Sequence, residues 1–229
     1  MCTDQRPDLR PSYLEHRAMR VDAARLTELV AAAQPADTGR LTGIAAWYTH
    51  YERAVHDHHV AEEAVVYPAL LERDPSFAIA DAELEGQHRV LADRLTVARE
   101  SLHGLAAASG GPSWERERDE ALAATRALRE IVTTHLAHEE DVAFSRYRRT
   151  FTATEFAALG ATAWKLVGAR AVVFAGPWVL DHAGSAERAQ LLAEQPLLLR
   201  VRYRLVLRPR FDRLTRPWHA ATTTPATEV

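Results

Sequence analysis

Cysteine is almost missing from this chain of 229 residues. The single cysteine, Cys2, excludes an intramolecular disulfide and any thiolate-rich zinc or iron–sulfur site. No apolar run approaches the ~20 residues that span a bilayer, so no transmembrane segment is expected. The opening segment MCTDQRPDLRPS has no apolar centre and does not read as a secretory signal. A soluble, cytoplasmic protein is the expectation. Bulk charge is also slight. A formal charge of −3 gives no reason to expect nucleic acid or acidic lipid as the main partner. Lys165 is the only lysine among 28 basic residues, and with the abundant alanine it reads as coding bias. No stretch alternates convincingly with period two, so almost no sheet is expected.

Helical periodicity is what the chain does have. Residues 12–33 place His16, Met19, Ala23, Leu26 and Val30 at three- and four-residue steps. Ser12 is the expected N-cap, with Glu15 completing a capping box. Further long helices are predicted over 39–71, 77–105 and 113–150, with Ser113 as a cap, separated by Pro- and Gly-containing breaks. Residues 1–11 read as a loose arm. Long helices joined by shorter polar links predict an all-α, antiparallel up-down four-helix bundle over 12–150. Residues 151–218 read as a C-terminal helical extension, and 219–229 as a disordered, Ala/Thr/Pro-rich tail. Within the extension, Thr154 is the expected cap of a helix through Lys165. Gly176-Pro177 and Ala183-Gly184-Ser185 are expected breaks. Pro196 opens an apolar and basic stretch, 197–216, with seven arginines and one acid, Asp212.

Two segments repeat the unit His-x-x-x-Glu, as His58…Glu62 and His135…Glu139. An i,i+4 pair lies on one helix face, so both side chains can reach one point. At about 100° per residue, His58 and Glu62 share a sector with Ile44, Trp47, Tyr51, Val55, Val65 and Ala69. His56 is nearly opposite, His50 and Glu63 lie well to the side, and His59 is at the edge. His88 shares a face with Leu84, Leu91, Leu95 and Leu102. His135 and Glu139 share one with Leu128, Ile131, Val132 and Val142, with His138 at its flank. His103, His182 and His219 join no such set. A lone inward histidine is more often a satisfied core residue than a ligand. An unpaired carboxylate on an apolar stripe is different, because burying it costs several kcal/mol. Two such glutamates, each one turn after an inward histidine, call for a common cation. Four imidazoles and two carboxylates exceed the four ligands of a structural zinc and suit iron or manganese, with the carboxylates able to bridge two ions.

With His16, HHVAEEAVVYPAL (58–70), EGQHRVLADRL (85–95) and HLAHEED (135–141), the chain resembles the hemerythrin-like, or HHE cation-binding, family over about residues 13–149. The resemblance implies that His16, His58, His88 and His135 are terminal ligands. It implies that Glu62 and Glu139 bridge two irons together with an oxo or hydroxo group; manganese is the alternative ion. Leu84 stands where oxygen-carrying members have a further histidine. His59 either replaces that ligand or stands behind the ligands or faces solvent, and His138 has a weaker claim. A centre with fewer protein ligands favours turnover or sensing over clean reversible binding. The implied function is a di-iron protein handling O2, peroxide or NO as a sensor, store or redox protein. The alternatives are a di-iron oxidase, oxygenase or catalase-like enzyme, and an interaction module that a metal holds together. The extension resembles C-terminal extensions of some bacterial members. Its basic helix is expected to pack on the bundle, with a partner protein or an anionic surface as alternatives.

Overall fold

The computed structural model describes residues 6–222; Cys2, most of the Ala/Thr/Pro-rich tail and the side chain of His219 lie outside what is described. Four long helices form the body: α1 (Arg10–Ala31), α2 (Thr38–Ala61), α4 (Ala78–Ala107) and α5 (Trp114–Glu139), with short α3 (Tyr67–Arg73) between α2 and α4. α1 packs on α5, α5 on α4 and α4 on α2, closing a ring.

Two apolar clusters fill this ring. The larger contains Leu26, Trp47, Tyr51, Leu95 and Leu128. The smaller, at one end, contains Leu9, Tyr67, Leu70, Phe77, Leu84, Phe144 and Tyr147. α1 and α4 run from the small cluster to the large one, and α2 and α5 run the other way, so the bundle is antiparallel. Each helix crosses between the clusters where its histidines stand.

Two π-turns mark that crossing, Glu62–Val66 after α2 and Glu140–Phe144 after α5, before α6 (Ser145–Thr150). A π-turn adds one residue to a helical turn and sets the phase back by about 100°. It explains a departure from the helical-wheel expectation. Val65, Ala69 and Val142 are only half-buried, whereas Tyr67, Leu70, Phe144 and Tyr147 are buried. The last four sit nine and twelve residues after His58 and His135, positions an unbroken α-helix would turn outward. Pro68 stands at the start of α3, where the regular ladder is already interrupted and its missing N–H costs least.

Other local expectations are corrected. Helix α1 begins at Arg10 with Pro11 in its first turn and no side-chain cap, so Ser12 and Glu15 form no capping box. Leu9 and Pro7 are buried, which ties down the described end of the arm; its residues 1–5 lie outside the described residues. α7 (Ala153–Val167) is capped by Thr152, not Thr154, with a full capping box to Glu155. Gly176-Pro177 does not break the chain: both lie inside α8 (Ala169–Asp181), where Phe174 and Trp178 anchor the helix in the large cluster. Gly168 takes the left-handed turn before it, at φ 82°. α9 (Ser185–Ala193) and α10 (Leu197–Arg202) follow, then a third π-turn, Tyr203–Leu207, and α11 (Arg208–Thr222). The last helix therefore runs past residue 219.

The extension lies on α1 and α2. Tyr203, Leu207, Phe211, Thr215 and Trp218 turn one buried stripe inward. Trp218 stacks on Trp47, with ring centroids 3.7 Å apart and planes at 8°. A polar latch accompanies it. The Trp178 indole N–H donates to buried Asp22 at 2.8 Å, His182 Nε2 lies 3.2 Å from the same carboxylate, and His182 Nδ1 meets the Trp178 carbonyl oxygen at 3.0 Å. Among the described residues, no helix is long and apolar enough to cross a membrane.

Candidate metal centre

Between the two apolar clusters the helices converge seven ligand-type side chains in two adjoining groups. His16, His58, Glu62 and Glu139 form one, and His59, His88 and His135 the other; within each, the ligand-type atoms lie within 4.8 Å of one another. All six side chains singled out on the core stripes are in these groups, together with His59. His59 is buried, and its ring stacks on His88 at 4.1 Å and lies 5.1 Å from His135. His138 belongs to neither group and faces Glu83 at 3.3 Å. His56 is exposed, and His50 stacks on Phe174. Leu84 is fully buried in the end cluster.

Glu62 stands between the groups. Its Oε1 is 3.0 Å from His58 Nε2, and its Oε2 is 3.7 Å from His88 Nε2. Glu139 Oε2 is 3.3 Å from His16 Nε2. The Nε2 atoms of all five histidines are buried and make no hydrogen bond; nor do Glu62 Oε2 and both Glu139 oxygens. Leaving so many polar atoms unpaired costs a few kcal/mol each, a debt that one or two cations between the groups would cancel.

In four of the five histidines the outward ring nitrogen is held by a residue that the helical-wheel reading passed over. His16 Nδ1 meets Glu140 at 2.9 Å, and Arg20 braces that carboxylate at 2.8 Å. His58 Nδ1 faces Glu15 at 3.4 Å, His88 Nδ1 meets Glu63 at 2.7 Å, and His135 Nδ1 meets Gln87 at 3.0 Å. Such partners fix ring orientation and leave Nε2 free to ligate. The signal was present in the chain. Glu63 and Glu140 each follow a His-x-x-x-Glu unit, and Glu15 and Gln87 each precede a lone histidine. They lie off the core face because they reach sideways to a neighbouring helix.

Protonation differs between the groups. Burial acts to lower the His16 pKa, but the charge and contact of Glu139 override it and lift it to about 9. His58 is likewise raised against burial by Glu62 and Glu15. Burial dominates on the other side: His88 falls to about 4, His135 to about 3, and His59 well below its ordinary value. The glutamates are driven apart. Burial beside Glu139 raises Glu62, whereas the charge of His16 outweighs burial and holds Glu139 low. Tyr67 and Tyr147, buried next to these carboxylates with no partner for their hydroxyls, are both pushed well up and stay protonated.

A cleft of about 480 Å³ between α2 and α4 leads to this layer, reaching His59 and His88 past Thr49, His56, Val60 and Thr96.

Residues 13–147 match the family model of the hemerythrin HHE cation-binding domain. The chain belongs to this family. The matched span begins just before His16 and ends after Glu139, so it encloses both groups, and the HHE domain is a cation-binding helical bundle. Comparisons with curated proteins and with solved structures found no match.

Proposed function

We propose that the HHE domain holds two iron ions and handles O2, peroxide or NO, as a sensor, store or redox protein. One observation carries this reading: five buried imidazole nitrogens that make no hydrogen bond converge with two carboxylates, and Glu62 offers one oxygen to each group. Nitrogen and carboxylate donors without thiolate suit iron, with manganese as the alternative. His16 and His58 would hold one ion, and His59, His88 and His135 the other, with Glu62 and Glu139 shared. Bound iron supplies the one-electron chemistry that small oxygen and nitrogen species require.

The chain's own residues do the rest. Glu15, Glu63, Gln87 and Glu140 orient the rings. Tyr67, Phe77 and Phe144 close the far end against water. The Tyr67 and Tyr147 hydroxyls keep protons beside the carboxylates, as donors to a small ligand. With His59 included, the donor set is five imidazoles and two carboxylates. α2 then supplies what Leu84 on α4 does not, and turnover no longer follows from a missing ligand. The enzyme reading keeps one support, the cleft that reaches His59 and His88. An anaerobically reduced, iron-loaded sample titrated with O2 tests the pair. A spectrum that reverses on removing O2, with no product, supports binding; consumption of peroxide or O2 with product supports the enzyme; no spectral response sinks both.

A further inference from the structure

The overall charge of −3 conceals a strong asymmetry. Residues 197–216 carry seven arginines and one aspartate, a net of +6, which leaves −9 on the rest of the chain. The stripe from Tyr203 to Trp218 is buried on the bundle, so this segment is a firmly seated buttress. Its opposite face is bare. Leu197, Leu198 and Leu205 are 70%, 81% and 72% exposed, and Val201 beside them is 43% exposed. On a helical wheel these four fall within about 100°, nearly opposite Tyr203. Arg200 and Arg204 flank this apolar face on one side, where they line a groove with Leu192 and Val201, and Arg202 flanks the other.

We propose that this face of α10 and the following π-turn docks on an anionic lipid surface. An apolar stripe flanked by arginines is the pattern of helices that lie in the headgroup boundary with their leucines inserted about 5–10 Å. The charge is free to act outward. Among the described residues, only Arg208 of the seven arginines is paired with a carboxylate, through Asp181 and Asp212. The neighbouring acids in and just after α9 are already taken: Glu187 pairs with Arg17, and Glu194 with Arg10. A second copy is a poor occupant, because joining two such stripes would bring two +6 segments together. Nucleic acid would leave the exposed leucines without a role. The acidic remainder of the chain would face away from the membrane, orienting the HHE domain toward bulk water.

Flotation of the full-length chain with phosphatidylcholine vesicles, with and without phosphatidylglycerol, tests this. The expected result is binding to the mixed vesicles only, weakening as salt is raised. Leu198→Asp with Leu205→Asp should abolish it. Arg200→Ala and Arg204→Ala should each weaken it about fivefold. Ile79→Asp, another strongly exposed apolar site, should leave it unchanged. Circular dichroism and metal content should stay at wild-type values in every variant, so loss of binding cannot be confused with a failed fold or a failed metal centre. Absence of binding, equal binding to neutral vesicles, or full binding by the double aspartate variant would each overturn the proposal. So would a concentration-dependent dimer that the double variant abolishes without any lipid effect, or an acidic protein partner captured in place of lipid.

Discussion

In the α1–α2 half, Glu15-His16 is followed by His58…Glu62-Glu63; in the α4–α5 half, Gln87-His88 is followed by His135…Glu139-Glu140. The residue before each lone histidine holds the ring of the paired helix. The residue after each His-x-x-x-Glu unit holds the lone histidine of the other half: Glu63 holds His88, and Glu140 holds His16. Each half enters a π-turn at the end of its His-x-x-x-Glu unit, the first at Glu62 itself and the second one residue after Glu139. The differences are few. Glu15 is a carboxylate where Gln87 is a neutral amide, and His59 stands where the other half has Leu136. Glu62 and Glu139 both turn to one side, leaving one group of mixed histidine and carboxylate that holds protons at neutral pH beside an all-histidine group that does not. One plan, repeated, thus yields two unlike groups of ligand-type side chains.

The largest expected effect comes from what the halves share. Glu62→Ala or Glu139→Ala should drop metal content below one ion per chain, measured by elemental analysis; full occupancy in both variants would sink the bridging assignment. Next is what they do not share. His59→Leu should remove one of two ions, whereas His56→Ala should remove none, because His56 faces solvent.

A third difference is the Asp22–Trp178–His182 latch, which ties the extension to α1 in the first half. Asp22→Asn should cost about 1–3 kcal/mol at pH 6, read by thermal unfolding. Burial acts to lower the His182 pKa, but Asp22 and the Trp178 carbonyl override it and raise it above 6.5. The ion pair therefore contributes fully below about pH 6.5 and fades as pH climbs through the raised value, so the gap between wild type and variant should narrow in alkali. A gap that does not change with pH would show His182 to be neutral throughout, and one that widens would contradict the raised value.

The smallest effect is a sharpening one. Gln87→Glu places a carboxylate behind His135, as Glu15 stands behind His58. It should raise the pH at which the all-histidine group begins to lose metal by about one unit.

The bundle and its inward histidines were legible because both rest on a 3.6-residue period. His58 and Glu62 were separable from His56 and Glu63 by phase alone. That reasoning failed beyond Glu62 and Glu139, since a π-turn is set by tertiary packing and leaves no mark in local propensity; Val65 and Val142 therefore looked buried, and Tyr67 and Tyr147 were missed. Glu15, Glu63, Gln87 and Glu140 stand at repeated places beside the histidines but were passed over for a related reason, since a wheel shows which face is inward but not what an off-face side chain reaches on the next helix. Gly176-Pro177 looked like a break because local chemistry disfavours a helix there. Phe174 and Trp178, seated in the core, outweigh it.

Metal loading followed against pH tests the unequal pair most directly. Equilibrating the metal-free chain with ferrous iron under anaerobic conditions should give two ions per chain in mild alkali. As pH falls, the ion at His16 and His58 should leave first, because protons compete there below about pH 9. The ion at His59, His88 and His135 should persist toward the value of about 4 at which His88 takes up a proton. Simultaneous loss of both ions in one step, or a ceiling of one ion at every pH, would contradict the account.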